Sequence, residues 1–165
     1  MQLKDNQMRF TNVEVLWPRL DMPYKQNSAT GQWEKCQSIL DEDGKYEVII
    51  KLQPEQAEEL AAKMSAMFKA DFPGKHWLIK VRNPETGGDN DVPVKKWQDL
   101  FKEADDGRFQ RKLQIKTYGT PTTKPKIFDQ HFEEIGIKER EPEFEMTTGS
   151  MVNCVVDLKS WTYGG

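Results

Sequence analysis

No stretch of this 165-residue sequence approaches the roughly 20 consecutive apolar residues that a membrane-spanning helix needs. Its first ten residues, "MQLKDNQMRF", have no signal-peptide core. Both absences point to a cytosolic chain with no membrane partner. Cysteine is scarce: Cys36 and Cys154 stand far apart and form no CxxC pair, so free thiols are expected, with Cys154 a buried strand residue. Histidine is equally scarce, and neither His76 nor His131 adjoins a nucleophile or a carboxylate motif. The spacing of Cys36, His76, His131 and Cys154 matches no zinc cluster, so no metal is expected. The glycines of "ETGGDND" lack the strand-to-helix setting of a phosphate-binding loop, which excludes a nucleotide cofactor of that kind. The glutamates of 133–145 form a Pro-interrupted acidic loop and not a pair of opposed carboxylates. No catalytic residue can be named, and an enzyme is not the expected reading.

What is present describes a polar globular chain, 36% hydrophobic and 31% charged, long enough to bury a core as one domain spanning 1–165. "RFTNVEVLW" (9–17) alternates Thr11, Val13, Val15 and Trp17 against Asn12 and Glu14, which predicts a half-buried strand with Trp17 in the core. Two prolines and an Asn-Ser-Ala-Thr-Gly cluster then predict a long loop over 18–43. "GKYEVIIKL" (44–52) puts Tyr46, Val48, Ile50 and Leu52 on one strand face. Pro54 opens a helix over 54–70, with Ala57, Leu60, Ala61, Met64, Met67 and Phe68 at helical spacing and Pro73-Gly74 beyond its end. "HWLIKVR" (76–82) predicts a strand with Trp77, Ile79 and Val81 inward. Residues 83–93 read as a mobile loop, 94–104 as a short helix, 109–118 and 124–129 as strands. In "GSMVNCVVDLKSWTY" (149–163), Val152, Cys154, Val156 and Leu158 face inward; Asn153, Asp157, Lys159, Trp161 and Tyr163 face out. About six strands, one helix and long loops fit a mainly β, OB-fold-like barrel of five to six strands capped by that helix.

Net charge is only −3, yet charge is sorted along the chain. From Gly107 to Phe128, Arg108, Arg111, Lys112, Lys116, Lys124 and Lys126 meet no acid, and "GKHWLIKVR" carries Lys75, Lys80 and Arg82 without one. Lys112, Gln114, Lys116 and Tyr118 share a strand face; Lys159, Trp161 and Tyr163 share another. Tyr24 and Trp33 flank the first long loop, with Arg19 and Lys25 nearby. Cations interleaved with exposed rings suit single-stranded DNA, whose phosphates follow the cations while its bases stack on the rings. The same Lys-rich face also describes a solvated edge strand guarded against aggregation. Two other functions stay open: a structural or scaffold β-domain of an assembled particle that binds another protein, and an RNA-binding OB module that reads the 2′-hydroxyl.

Four segments occur in a telling order: "LWPRLDMPY", "DGKYEVIIKL" before the helix, "KPKIFD" after a basic strand, and "TGSMVNCVVDLKSWTYGG". Together they resemble the OB-fold single-stranded DNA-binding proteins of tailed bacteriophages, over most of the chain. The resemblance implies sequence-tolerant binding of single strands in phage DNA replication and recombination, in the cytoplasm of the infected host cell, with no metal or cofactor. It implies DNA contacts at Lys112, Lys116, Tyr118, Lys124, Lys126 and Trp161, to which the basic stretches add Arg111, Lys80 and Arg82 and the first loop adds Tyr24 and Trp33. Phage or host replication proteins are implied partners, and a homodimer stays open. Such proteins usually continue past the aromatic tip with another strand and an acidic tail, where this sequence has "WTYGG". The glutamates of 133–145 are therefore expected to compete with DNA in the tail's place.

Overall fold

A computed structural model describes residues 2–37, 44–116, 125–129, 131–135 and 146–159. Its elements are strands β1 (Gln7–Gln26), β2 (Trp33–Lys35) and β3 (Lys45–Leu52), helix α1 (Pro54–Asp71), and strands β4 (Leu78–Arg82), β5 (Asp89–Pro93), β6 (Lys102–Glu103), β7 (Phe109–Lys116) and β8 (Met151–Asp157). One sheet runs in the order β2-β1-β3-β7-β6, with β8 also paired to β1; β4 and β5 form a separate antiparallel pair. The chain is thus mainly β with one α-helix among the described residues, in an OB-like arrangement. Its contacts divide it into two compact units.

β1 differs most from the sequence expectation. It runs through Pro18 and Pro23 to Gln26, across much of the segment expected to be a loop. Proline withholds only an N–H, and Pro23 still pairs through its carbonyl, which accepts from Cys36 N–H at 2.9 Å. The inward face also changes phase: Met8 and Phe10 are buried, then Val13 and Val15. Asn12, in the left-handed region at φ 56°, absorbs the extra residue, so Thr11 is exposed instead of sharing the face of Val13. Trp17 is likewise left-handed at φ 50° and lies 68% exposed, which corrects the expectation that it belongs to the core.

The first unit comprises Met1–Val13, Lys51–Arg111 and Val152–Gly165. Ala57, Leu60 and Ala61 form the buried stripe of α1, as the spacing predicts, and Met8, Phe10, Val13, Leu52, Leu100, Phe109 and Val156 are the other buried side chains among the unit's described residues. Two contacts tie α1 to β1: Lys63 Nζ donates to the Gln7 carbonyl at 2.9 Å and Gln56 Nε2 to the Thr11 carbonyl at 3.4 Å. The helix ends at Asp71 and is capped by Phe72, ahead of Pro73 and the left-handed Gly74. Trp77 is half-buried and stacks on Phe68 with ring centroids 5.2 Å apart, whereas Val81, expected inward, is exposed. Residues 83–93 are no loop throughout: Asn83 and Gly88 close a turn and β5 returns along β4. The short helix expected at 94–104 is a single 3-10 turn, Trp97–Leu100, followed by β6. Trp97, Phe101 and Phe109 pack edge to face there. In β8 the alternation is as expected, with Val152, Cys154 and Leu158 half-buried, Val156 buried, and Asn153, Asp157 and Lys159 exposed. Burial pushes the Cys154 thiol up to about 11.

The second unit comprises Glu14–Ile50 and Lys112–Met151. Among its described residues Val15, Pro23, Cys36, Tyr46, Val48 and Ile50 are the buried side chains, so β3 keeps the face that its alternation predicts. Gly44 is required where β3 begins, because a Cβ there would lie 2.7 Å from Pro23 Cβ and 2.9 Å from Cys36 Sγ. Of the strand expected at 124–129, the described residues retain one bridge, Phe128 with Glu134.

Candidate nucleic-acid interface

The second unit assembles a surface of rings and cations from four strands. β1 and β2 form a hairpin in which Tyr24 pairs with Lys35 and Gln26 with Trp33. Its turn is closed by Asn27, whose side-chain oxygen accepts from Ala29 N–H at 2.8 Å, and by Gly31 at φ 71°. The hairpin fixes two aromatic residues beside the same cation: the Arg19 guanidinium lies 5.2 Å from the Tyr24 ring centre and 5.8 Å from that of Trp33. Lys45 Nζ stands 4.3 Å from the Trp33 ring centre. Trp33 nonetheless keeps 42% of its surface exposed, so the cations flank the ring without enclosing it. Such contacts at exposed sites are worth about 0.5–1 kcal/mol each, enough to orient side chains and little enough to be exchanged for a ligand.

Lys45 and Glu47 share the face of β3 opposite Tyr46 and Val48. Glu47 gathers the next cations around itself. Its carboxylate is 3.3 Å from Lys45 Nζ and 3.4 Å from Lys112 Nζ, and accepts a 2.8 Å hydrogen bond from Gln114 Nε2. Burial would raise its pKa, but the Gln114 hydrogen bond and the charges of Lys112 and Lys45 outweigh that and hold it below the ordinary carboxylate value. The Lys112 side chain is 52% exposed whereas that of Glu47 is 14% exposed, so the lysine is the partner open to water. Glu47 would keep Lys45 and Gln114 if Lys112 turned to another anion. At the edge of the hairpin, Lys35 is held by Asp21 at 2.7 Å.

The residues singled out in the sequence fall into three groups. Tyr24, Trp33 and Lys112 lie in the second unit and are linked through Arg19, Lys45 and Glu47 as above; Lys126 belongs to the same unit and is exposed. Arg111, Lys80 and Arg82 lie in the first unit, each beside its own partner or register mate. Arg111 Nη1 donates to the Leu100 carbonyl at 2.7 Å, Lys80 pairs with Asp91 at 3.3 Å, and Arg82 stands opposite Asp89 in the β4–β5 register. Tyr118, Lys124 and Trp161 lie outside the described residues, as do residues 136–145 of the glutamate segment; Lys116 ends β7 with its side chain outside them. Sequence reasoning missed Lys45 and Glu47, although the β3 alternation already placed both on the outer face. Among the described residues, no three His, Cys, Asp or Glu side chains are grouped so as to hold a metal ion.

No family model matches this sequence, and no curated protein sequence matches it. In fold, the chain is similar to the single-stranded DNA-binding protein from bacteriophage Enc34, solved in complex with ssDNA. The likeness has a TM-score of 0.51 at 17% identity and covers 92% of this chain and 73% of that one. The C-terminally truncated form of the same phage protein gives 0.48 at 18% identity over the same shares. The phage protein that this chain resembles in fold is thus a DNA-binding protein. Over nearly its whole length, the chain shares the fold of a phage single-stranded DNA-binding protein.

Proposed function

We propose that the chain binds single-stranded DNA without sequence preference, without catalysis, in the replication and recombination of a phage genome within the infected host cell. One observation carries the reading: the exposed Trp33 ring with Lys45 and Arg19 beside it, continued through Glu47 to Lys112. A base stacked on such a ring is worth roughly 1–3 kcal/mol, and every base offers a π-face, which makes the contact indifferent to sequence. Duplex DNA has no free face to offer. Lys112, Lys45 and Arg19 supply the attraction for phosphates, so affinity should fall with salt at a log–log slope of about −0.7 per phosphate neutralised. The fold shared with a phage protein solved on ssDNA supports the same reading.

The test is fluorescence anisotropy of a labelled oligo-dT of about 30 nucleotides, spanning a site of the size such grooves take. Unlabelled duplex should compete poorly and RNA of the same sequence no better than DNA. Preferential competition by RNA would move the assignment to an RNA-binding module. Absence of binding at low salt would leave the ring-and-cation surface to a protein partner.

A further inference from the structure

We infer that Trp17 is a base-stacking residue, displayed by its left-handed backbone in β1; this rests on the single-stranded DNA reading above. By the alternation of β1, Trp17 follows the buried Val13 and Val15 and should point inward. It does not, because its backbone is left-handed at φ 50°, a conformation that bulky side chains rarely adopt. Strain of this kind persists only where the surroundings hold it, and it clusters at functional sites. Here the holding contacts are specific. Thr148 Oγ1 accepts from Trp17 N–H at 3.0 Å; Val15 N–H donates to the Ser150 carbonyl, and Gly149 N–H to the Val15 carbonyl, both at 2.9 Å. The Thr147–Ser150 turn is itself closed by Ser150 N–H to the Thr147 carbonyl at 3.0 Å and Thr147 N–H to Ser150 Oγ at 3.1 Å.

The result is an indole 68% exposed, with no ring or cation of the described residues upon it. A fold that needed only to close its core at this point would have no use for a strained, solvent-facing tryptophan. A flat apolar ring fixed before binding loses little freedom when a base covers it. Arg19, two residues further along β1, is the cation that already lies beside Tyr24 and Trp33 in the same unit, so phosphate attraction is close at hand.

Trp17→Gly and Trp17→Phe test this in the full chain, by thermal unfolding and by dT30 anisotropy at several salt concentrations, beside Trp33→Ala. Glycine accepts a positive φ, so Trp17→Gly should melt no lower than the parent. It should bind dT30 roughly 5- to 150-fold more weakly, the range one stacked base represents, with an unchanged salt slope. Trp17→Phe should keep most of the affinity. Parental affinity in Trp17→Gly while Trp33→Ala weakens would overturn the role of Trp17 and leave the single-stranded DNA reading standing. A Trp17→Gly variant melting well below the parent would mark the ring as packing and overturn it too. If the parent itself does not bind dT30, both inferences fall.

Discussion

Apart from Tyr46, which is buried in the second unit, the two units treat their aromatic residues differently. In the first, rings meet rings: Phe68 lies on Trp77, and Trp97, Phe101 and Phe109 close on one another. In the second, Trp33 and Tyr24 meet cations, and Trp17, Phe128 and Phe132 are exposed. Ring–ring packing removes apolar surface from water and needs nothing further. A ring beside a guanidinium or an ammonium keeps a face open and a charge nearby, which is what a stacked nucleotide with its phosphate can use. The proposed function places the contact surface in the second unit; β1, β3, β7 and β8 contribute residues to both units.

That contrast can be broken from either side. The largest effect is expected in the support: Leu60→Ala, at a position 1% exposed, should cost about 2–5 kcal/mol in urea unfolding while the folded fraction keeps its dT30 affinity. In the contact unit, Gly44→Ala forces a methyl group against Pro23 and Cys36 and should cost about 1–3 kcal/mol. Because Pro23 precedes Tyr24 and Cys36 follows β2, this variant should weaken DNA binding as well, a double loss that separates it from Leu60→Ala. Lys112→Gln should change stability little, since Lys112 is the exposed partner and Glu47 keeps Lys45 and Gln114, and flatten the log–log salt slope by about 0.7. The smallest effect belongs to Glu47→Gln, which should tighten binding by removing the carboxylate that competes with phosphate for Lys112. Glu47 titrates below its ordinary value of 4.5, so its ionised form stabilises the fold above that pH and the contribution disappears as pH falls through the lower, folded-state value. Acid unfolding curves of the parent and of Glu47→Gln should therefore differ in slope below pH 4.5 and run parallel above it.

Where periodicity governed the outcome, the sequence was readable. α1 and the buried face of β3 follow from spacing alone, as does the inward set of β8. Trp17 was not readable, because alternation assumes an unbroken strand and a single left-handed residue overrules it. The loop assigned to 18–43 misled for a related reason: prolines that cannot donate still fit a strand whose carbonyls pair. Charge misled differently. The acid-free windows are properties of the chain and not of the surface. Arg108 meets Asp106 from just outside its window, Lys112 meets Glu47 from β3, and Lys80 meets Asp91 from β5. Linear charge counts could not foresee partners that only strand pairing brings alongside. The ring–cation cluster was half legible: Tyr24 and Trp33 were named for their loop, but their neighbour Lys45 was hidden in a strand read only for its core.

The most direct test of the second unit as the DNA-contacting surface is a dT30 salt titration of the parent chain beside Trp33→Ala. Parental affinity that falls with salt, and a Trp33→Ala curve displaced to weaker binding by about 1–3 kcal/mol at the same slope, is the predicted result. Coincident curves for the two proteins, or no binding by either at low salt, would contradict it.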